Sequence, residues 1–190
     1  MQILGRNRRR STLESIWELA FRLRSKTERV HVAAVCYRLR NGKLEFLLVR
    51  TRNGHWTFPK GAVDGDRTNA DAAAREAYEE AGVTGRVEPK PFASYLHRKP
   101  RQPSANAGVV LVDAHLCEVK QLVAPEEQHR NPTWFTKPRA KRRLREMRTP
   151  EYGNEVARVV DRATEFILRT HPEASRSKKL RKHSSGVLNS

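Results

Sequence analysis

Three carboxylates, Glu76, Glu79 and Glu80, stand at i, i+3 and i+4 in a strongly helical stretch. On a helix that spacing puts all three on one face. Like charges crowded there cost roughly 0.2–0.5 kcal/mol per pair. A cluster that works against its own helix calls for a positive partner, and a hard divalent cation with oxygen ligands is the natural one. Just ahead lies His55-Trp56-Thr57-Phe58-Pro59-Lys60-Gly61, the end of a strand pattern that enters a loop containing Gly61 and Gly65. Backbone groups can approach a ligand closely there, and Lys60 stands at the junction. A glycine-containing loop leading into an acidic helix suits a phosphate-plus-metal site. The competing reading is an ordinary solvated helix face, the commoner fate of paired glutamates. The loop tips the balance.

The helix that must carry these groups is well marked. Thr68 with Asp71 three residues on makes an approximate capping box, and Asp66 and Asp71 suit the positive end of the dipole. Ala70, Ala72, Ala73, Ala74, Ala77 and Ala81 supply high propensity, and Gly82 is placed to close the helix in a left-handed conformation. Ala70, Ala73, Ala74, Ala77 and Ala81 form a small-residue face that predicts close packing on a sheet, with the carboxylates on the opposite face. Around this helix, Val30–Leu39 and Leu44–Thr51 read as strands joined through Asn41-Gly42, a hairpin signal. Arg86–His97 and Ala107–Val119 read as further strands separated by the polar loop Arg98–Asn106, and Thr133–Thr136 as a short one. Pro138–Met147 and Glu151–Thr170 read as helices, the second with Val156, Val159, Val160, Ala163 and Ile167 as its apolar face. Strands and helices mixed in this order predict an α/β fold, a mixed sheet between helices.

The run from Gly61 to Val83 resembles the Nudix box, G-x5-E-x7-R-E-U-x-E-E-x-G-U with U aliphatic. Gly61, Arg75, Glu76, Glu79, Glu80, Gly82 and Val83 fall in register, and Ala77 is a small version of the first aliphatic position. Arg67 departs from the pattern, standing where the box has its first Glu. In the family that Glu is a supporting residue, so Arg75 loses its usual partner, and Asp64 or Asp66 is expected to substitute. Compatible strands and helices flank the box over roughly residues 29–168. The resemblance implies the Nudix α/β/α sandwich and an Mg²⁺-dependent hydrolase of phosphoanhydrides, with Mn²⁺ as an alternative metal. Glu76, Glu79 and Glu80 are the implied metal ligands, with the Gly61 carbonyl as an extra one. Glu79 or Glu80 is the implied base, and Arg75 completes the catalytic set. In some members a Glu from a distant loop is the base. Glu126 and Glu127 lie in such a loop, although an ordinary exposed turn after Pro125 is the preferred reading.

Hydrolysing a phosphoanhydride means shielding negative charge so that water can approach phosphorus in line. Arg50 and Arg52 leave the second strand near the box, Lys60 borders it, and His97, Arg98, Lys99 and Arg101 crowd one loop. Arginine forks bind phosphates bidentately, so a highly phosphorylated, polyanionic small molecule is the expected substrate. His31 joins these candidates, though a lone strand histidine is more often structural. Trp56, Tyr95 and Trp134 could stack a base, but such aromatics are more often core. His55-Trp56, Pro59-Lys60-Gly61 and Trp134-Phe135-Thr136 resemble the diphosphoinositol polyphosphate and diadenosine polyphosphate hydrolase branches. Tyr95 falls short of the spacing usual for the dinucleoside branch.

The 190 residues suit one domain, residues 29–170, between a basic segment 1–28 and a basic tail 171–190 expected to be disordered. Leu13, Ile16, Trp17, Ala20 and Phe21 form an amphipathic stripe in the first segment, which leaves monomer and homodimer both open. No apolar run reaches the length of a membrane span. Glu14 and Glu18 interrupt any signal-like apolar region. Cys36 and Cys117 lie in apolar strand patterns without metal-binding companions, predicting two buried thiols in a reducing cytoplasm. The formal charge is +17, with +5 in residues 1–29, +5 in residues 169–190 and the rest on the domain. Such a field favours polyanions and leaves nucleic acid open as a partner of the tails. Two further functions therefore stand beside the first: removal of pyrophosphate from RNA 5′ ends, and a non-catalytic domain that binds a nucleotide or RNA. Arg67 favours the non-catalytic reading, and the intact Glu76/Glu79/Glu80 set opposes it.

Overall fold

Asn41 and Gly42 both take positive φ, 50° and 67°, the pair of left-handed residues that a tight two-residue hairpin needs. They join β1 (His31–Arg40) to β2 (Lys43–Arg50) in antiparallel register, Leu39 opposite Leu44. The computed structural model describes residues 30–65, 67–98 and 109–170. The expected N-terminal helix, the basic tail 171–190, Asp66, Lys99 and Arg101 lie outside the described residues.

β1 is the spine of a mixed sheet. It is buried on both faces from Val32 to Tyr37 and pairs in parallel with β7 (Val109–Leu122), the pairing that puts Cys36 opposite Cys117. Alternation along the strands then builds two cores. Ala33, Val35 and Tyr37 point to one, with Phe46, Leu48, Val112, Ala114 and Leu116. Val32, Ala34 and Cys36 point to the other, with Leu47, Val49 and Cys117. The first core is closed by two helices, α2 (Lys137–Arg145) and α3 (Pro150–Thr170), and the second by α1 (Asn69–Ala81). The α/β/α sandwich expected from the sequence is the fold observed. Within the described residues no helix is long and apolar enough to cross a membrane.

The remaining strands set the site. β3 (Trp56–Thr57) pairs with the end of β2, and β4 (Lys60–Ala62) pairs with the start of β1, Gly61 opposite Val32. The Ala34 amide donates to the Pro59 carbonyl at 2.9 Å and the Val63 amide to the Val30 carbonyl at 2.8 Å, pinning this glycine loop on both sides. The segment expected as one strand, Arg86–His97, is two: β5 (Val83–Val87) and β6 (Ala93–Arg98), both paired with β7. Pro89 and Pro91 cannot donate to a ladder and divide the run. β8 (Thr133–Thr136) pairs with β2 and leads directly into α2.

Helix α1 begins and ends as its sequence predicts. The Thr68 hydroxyl oxygen accepts from the Asp71 amide at 3.1 Å, and Gly82 closes the helix at φ 63°. A side chain at Gly82 would also collide with the Val123 carbonyl, so the position is closed to larger residues twice over.

Candidate active site

The carboxylates do not all sit opposite the alanine face, contrary to the expectation from sequence. Ala73, Ala77 and Ala81 are buried against the sheet, and Glu80 is buried among them with 2 % of its surface exposed. Positions 73, 77, 80 and 81 fall on one helical stripe, so Glu80 belongs to the packed face. Only a small-residue helix comes close enough to the sheet to insert a carboxylate into its edge. An ordinary solvated face is thereby excluded for Glu80.

A buried carboxylate needs partners. Glu80 accepts from the Lys60 backbone amide at 3.3 Å and pairs with the Arg130 guanidinium at 2.5 Å. Burial still dominates, and it pushes the Glu80 carboxyl up to about 7 against the pull of Lys60 and Arg130. Burial likewise lowers the Lys60 ammonium, which lies among Glu80, Arg130, Glu76 and Arg148. Glu76 is half-buried and raised first by that burial, then by the charges of Glu79 and Glu127. Its carboxylate occupies the space that a Cβ on Gly61 would take, so the loop approaches it as only glycine allows. Among the described residues Glu76 makes no hydrogen bond or ion pair.

Glu79 faces differently. It is bound by Arg75 one turn earlier, at 2.5 Å. Glu79 is the ion-pair partner of Arg75, and Asp64, expected to substitute for the missing box Glu, adds a weaker electrostatic pull on it, while Arg67 is exposed. The three glutamates therefore differ: Glu80 is buried and paired, Glu79 is tied along the helix, and Glu76 is uncommitted beside Gly61.

Of the expected substrate residues, Lys60 is in this centre. Arg50 and Arg52 are beside it, lining an open pocket of about 480 Å³ with Thr51, Gly54 and His129. Arg50 lies over the Trp56 ring at 5.3 Å, which holds its guanidinium at the pocket wall. His31 pairs in register with Ala62, next to the glycine loop. His97 is engaged elsewhere, its Nδ1 2.8 Å from the Tyr152 hydroxyl on α3. Arg98 ends β6. Trp56 and Tyr95 are core residues, Trp56 edge-on to Phe135 at 5.0 Å, so the stacking role does not fall to them. The Arg38 guanidinium covers the ring of half-buried Trp134 at 4.0 Å.

Sequence reasoning did not single out Arg130 and Arg148. The Arg148 guanidinium donates to the Trp56 carbonyl at 2.6 Å and the Leu144 carbonyl at 2.7 Å, bracing the strand that leads to Lys60. Glu127, expected in an exposed turn, lies in a bend with its side chain 39 % exposed, and it is tied down there: its amide donates to the Glu79 carbonyl at 2.9 Å and its carboxylate holds Arg130 at 2.6 Å. Nothing local distinguishes these residues from the chain's many other charges, because the loop after β7 brings in Glu127 and Arg130 and the turn between α2 and α3 brings in Arg148.

Among the described residues no three His, Cys, Asp or Glu side chains converge into a complete metal cage. The donor set still fits a hard cation. An uncommitted carboxylate lies against a glycine backbone, with two further carboxylates on the same helix, and Mg²⁺ commonly takes few protein ligands and fills its shell with water and phosphate.

Comparison with known proteins agrees. The family description "NUDIX domain" matches residues 29–156. Among curated relatives, Nudix hydrolase 13, mitochondrial, of Arabidopsis thaliana is 35 % identical over 101 residues, 49 % of this chain and 50 % of that protein. A bis(5′-nucleosyl)-tetraphosphatase (asymmetrical) of Caenorhabditis elegans is 48 % identical over 52 residues, 26 % of this chain and 38 % of that protein. The chain thus spans half or less of the length of these relatives. The crystal structure of the C. elegans Ap4A hydrolase superposes with a TM-score of 0.55 at 24 % identity, covering 73 % of this chain and 98 % of that one. The Nudix domain of Shewanella oneidensis NrtR, solved with ADP-ribose, gives 0.55 at 15 % identity over 83 % and 99 %. At these identities the structures establish a shared fold.

Proposed function

Because the chain belongs to the Nudix hydrolase family, we propose that it cleaves phosphoanhydride bonds with the help of a divalent cation, and that dinucleoside polyphosphates are its first-choice substrates. The observation that carries this reading is the uncommitted Glu76 carboxylate against Gly61, beside a buried Glu80 held between Lys60 and Arg130. Glu80, Glu79 and the Gly61 carbonyl would hold Mg²⁺ or Mn²⁺, with a Glu76 oxygen available to complete the set. When bound, that cation supplies neutralisation of the phosphate oxygens.

The chain's own residues supply the rest. Glu76 has no ion pair to break and a carboxyl raised by burial, so it is suited to accept a proton from the attacking water. Glu79 must first leave Arg75, which makes it the weaker candidate for base. Lys60, enclosed with the carboxylates Glu80 and Glu76 and the guanidinium groups of Arg130 and Arg148, presents its ammonium to the floor of the site. Arg50 and Arg52, one held over Trp56, can receive the outer phosphates of a polyphosphate chain.

The similarity to bis(5′-nucleosyl)-tetraphosphatases supports the dinucleoside substrate. The Arg50/Arg52/His129 pocket favours a second reading, a diphosphoinositol polyphosphate, because a dense cluster of phosphates rewards several cations in one depression. A phosphate-release panel with Mg²⁺ would compare diadenosine polyphosphates, inositol pyrophosphates, ADP-ribose, nucleoside triphosphates and triphosphorylated RNA. Diadenosine polyphosphates should lead, and Glu79→Gln and Glu80→Gln should each lose most of the turnover while remaining folded. Wild-type rates in both variants would defeat the assignment.

A further inference from the structure

The loop between β7 and β8 is strapped to the C-terminal end of α1. The Val123 amide donates to the Gly82 carbonyl at 2.8 Å and the Glu127 amide to the Glu79 carbonyl at 2.9 Å. The strap continues into a 3₁₀ turn, Gln128–Arg130, followed by Asn131 at φ 48°. Arg130 leaves this turn to bridge two carboxylates, Nη2 to Glu80 Oε1 at 2.5 Å and Nε to Glu127 Oε2 at 2.6 Å. Its side chain is 17 % exposed, so it borders water. The preceding residue, His129, lines the open pocket with Arg50 and Arg52. Arg130 thus holds a buried carboxylate that a cation would claim, one residue along the chain from a wall of the basic pocket that a phosphate chain would enter.

We propose that Arg130 is a positioning residue that exchanges partners during the catalytic cycle: it neutralises Glu80 in the metal-free protein and turns to a substrate phosphate once a divalent cation takes Glu80. The inference rests on the metal-dependent reading above. A guanidinium and a divalent cation repel each other, so the arriving ion displaces the arginine from their shared carboxylate. The planar fork fits phosphate as well as carboxylate, so the exchange keeps charge-assisted hydrogen bonds. The guanidinium is a rigid plane, so the exchange turns it as a unit about the aliphatic torsions and gives up the Nε contact to Glu127, whose side chain is 39 % exposed and can be solvated by water. By linkage, the cation and the phosphate chain then each favour binding of the other.

The test uses the full chain with Arg130→Gln and Arg130→Lys, at pH 8.5. Mn²⁺ binding is followed by electron paramagnetic resonance without substrate. Binding of methylenediphosphonate, an unhydrolysable pyrophosphate analogue, is followed by calorimetry with Mn²⁺ saturating. Arg130→Gln should bind Mn²⁺ roughly fivefold more tightly and the analogue roughly tenfold more weakly. An arginine that merely supports the structure would weaken both together. Parallel losses, or unchanged analogue affinity, would overturn the proposal. If Arg130→Gln does not fold, Arg130→Lys decides: it keeps the charge and loses the fork, so Mn²⁺ affinity should stay within about twofold while the analogue binds several-fold more weakly, and losses in both would overturn the proposal. Absence of Mn²⁺ binding by the wild-type chain would defeat both this proposal and the reading beneath it. Wild-type binding with parallel losses in the variant would defeat the exchange alone.

Discussion

Helices α1 and α3 pack on opposite faces of the same sheet, yet they are built for different tasks. α3 buries Val156, Val159, Val160, Ala163 and Ile167, a broad aliphatic stripe packed into the core. α1 buries Ala72, Ala73, Ala77 and Ala81 and sinks the Glu80 carboxylate among them. Large side chains on α3 remove much apolar surface from water and hold the domain together. Alanines on α1 bury less, but they let the helix sit close enough to the sheet to put carboxylates beside Gly61 and Lys60. One face is committed to stability, and the other gives up some of it to place carboxylates at the proposed site.

The sharpest way to break this contrast is to remove charge from the α1 face alone. Glu80→Gln keeps the shape and should lower turnover on the preferred substrate about 10²–10³-fold, roughly 3–4 kcal/mol of transition-state stabilisation. Steady-state kinetics checks it, and a loss below about threefold would place Glu80 outside the chemistry. On the other face, Ile167→Ala should cost roughly 2–5 kcal/mol of stability by emptying a fully buried position. Urea denaturation measures that cost, and kcat per folded molecule should stay within about twofold of wild type. A large drop in kcat would mean that the two faces are coupled.

The pH dependence separates the faces more finely. Glu80 is raised from 4.5 to about 7, so between those values the folded chain holds a proton that the unfolded chain has released. Stability of the chelated protein contributed by this group is therefore present below pH 4.5 and lost as the pH rises towards 7. The loss is on the order of 2–3 kcal/mol. Glu80→Gln should flatten that slope, whereas Ile167→Ala should shift the stability curve down without changing its shape. An unchanged slope in the glutamine variant would show that Glu80 is not the titrating group. The smallest effect is expected at the helix start, where Thr68→Ala removes the cap from the Asp71 amide and should cost about 1 kcal/mol. Thermal unfolding would register it, with little change in KM.

Much of the molecule was legible beforehand, and for local reasons. Asn41-Gly42 announced its hairpin because few residue pairs accept two positive φ angles. Thr68 and Gly82 marked both ends of α1 because caps act on the nearest amides and carbonyls. The valine and isoleucine stripe of α3 was visible because burial there follows the helical period. Legibility failed where contacts cross the chain. Pro89 and Pro91 were read through as part of one strand. Glu80 was assigned to the exposed face with its neighbours, because an alanine stripe does not say how deep a helix sits. The ties of Glu127 were not legible, since its bond to the Glu79 carbonyl spans three strands, β5 to β7.

The sequence by itself determined the family, the α/β sandwich and the set of carboxylates to which we assign the reaction, because the box compresses them into one helix and one preceding loop. Only the tertiary structure decided how the three glutamates divide their roles. Glu79 is held by Arg75, Glu80 by Arg130, and Glu76 is left against Gly61. That division depends on how closely α1 approaches the sheet and on where the loop after β7 returns. Both distances are set by packing between segments far apart in the chain, and no local spacing encodes them.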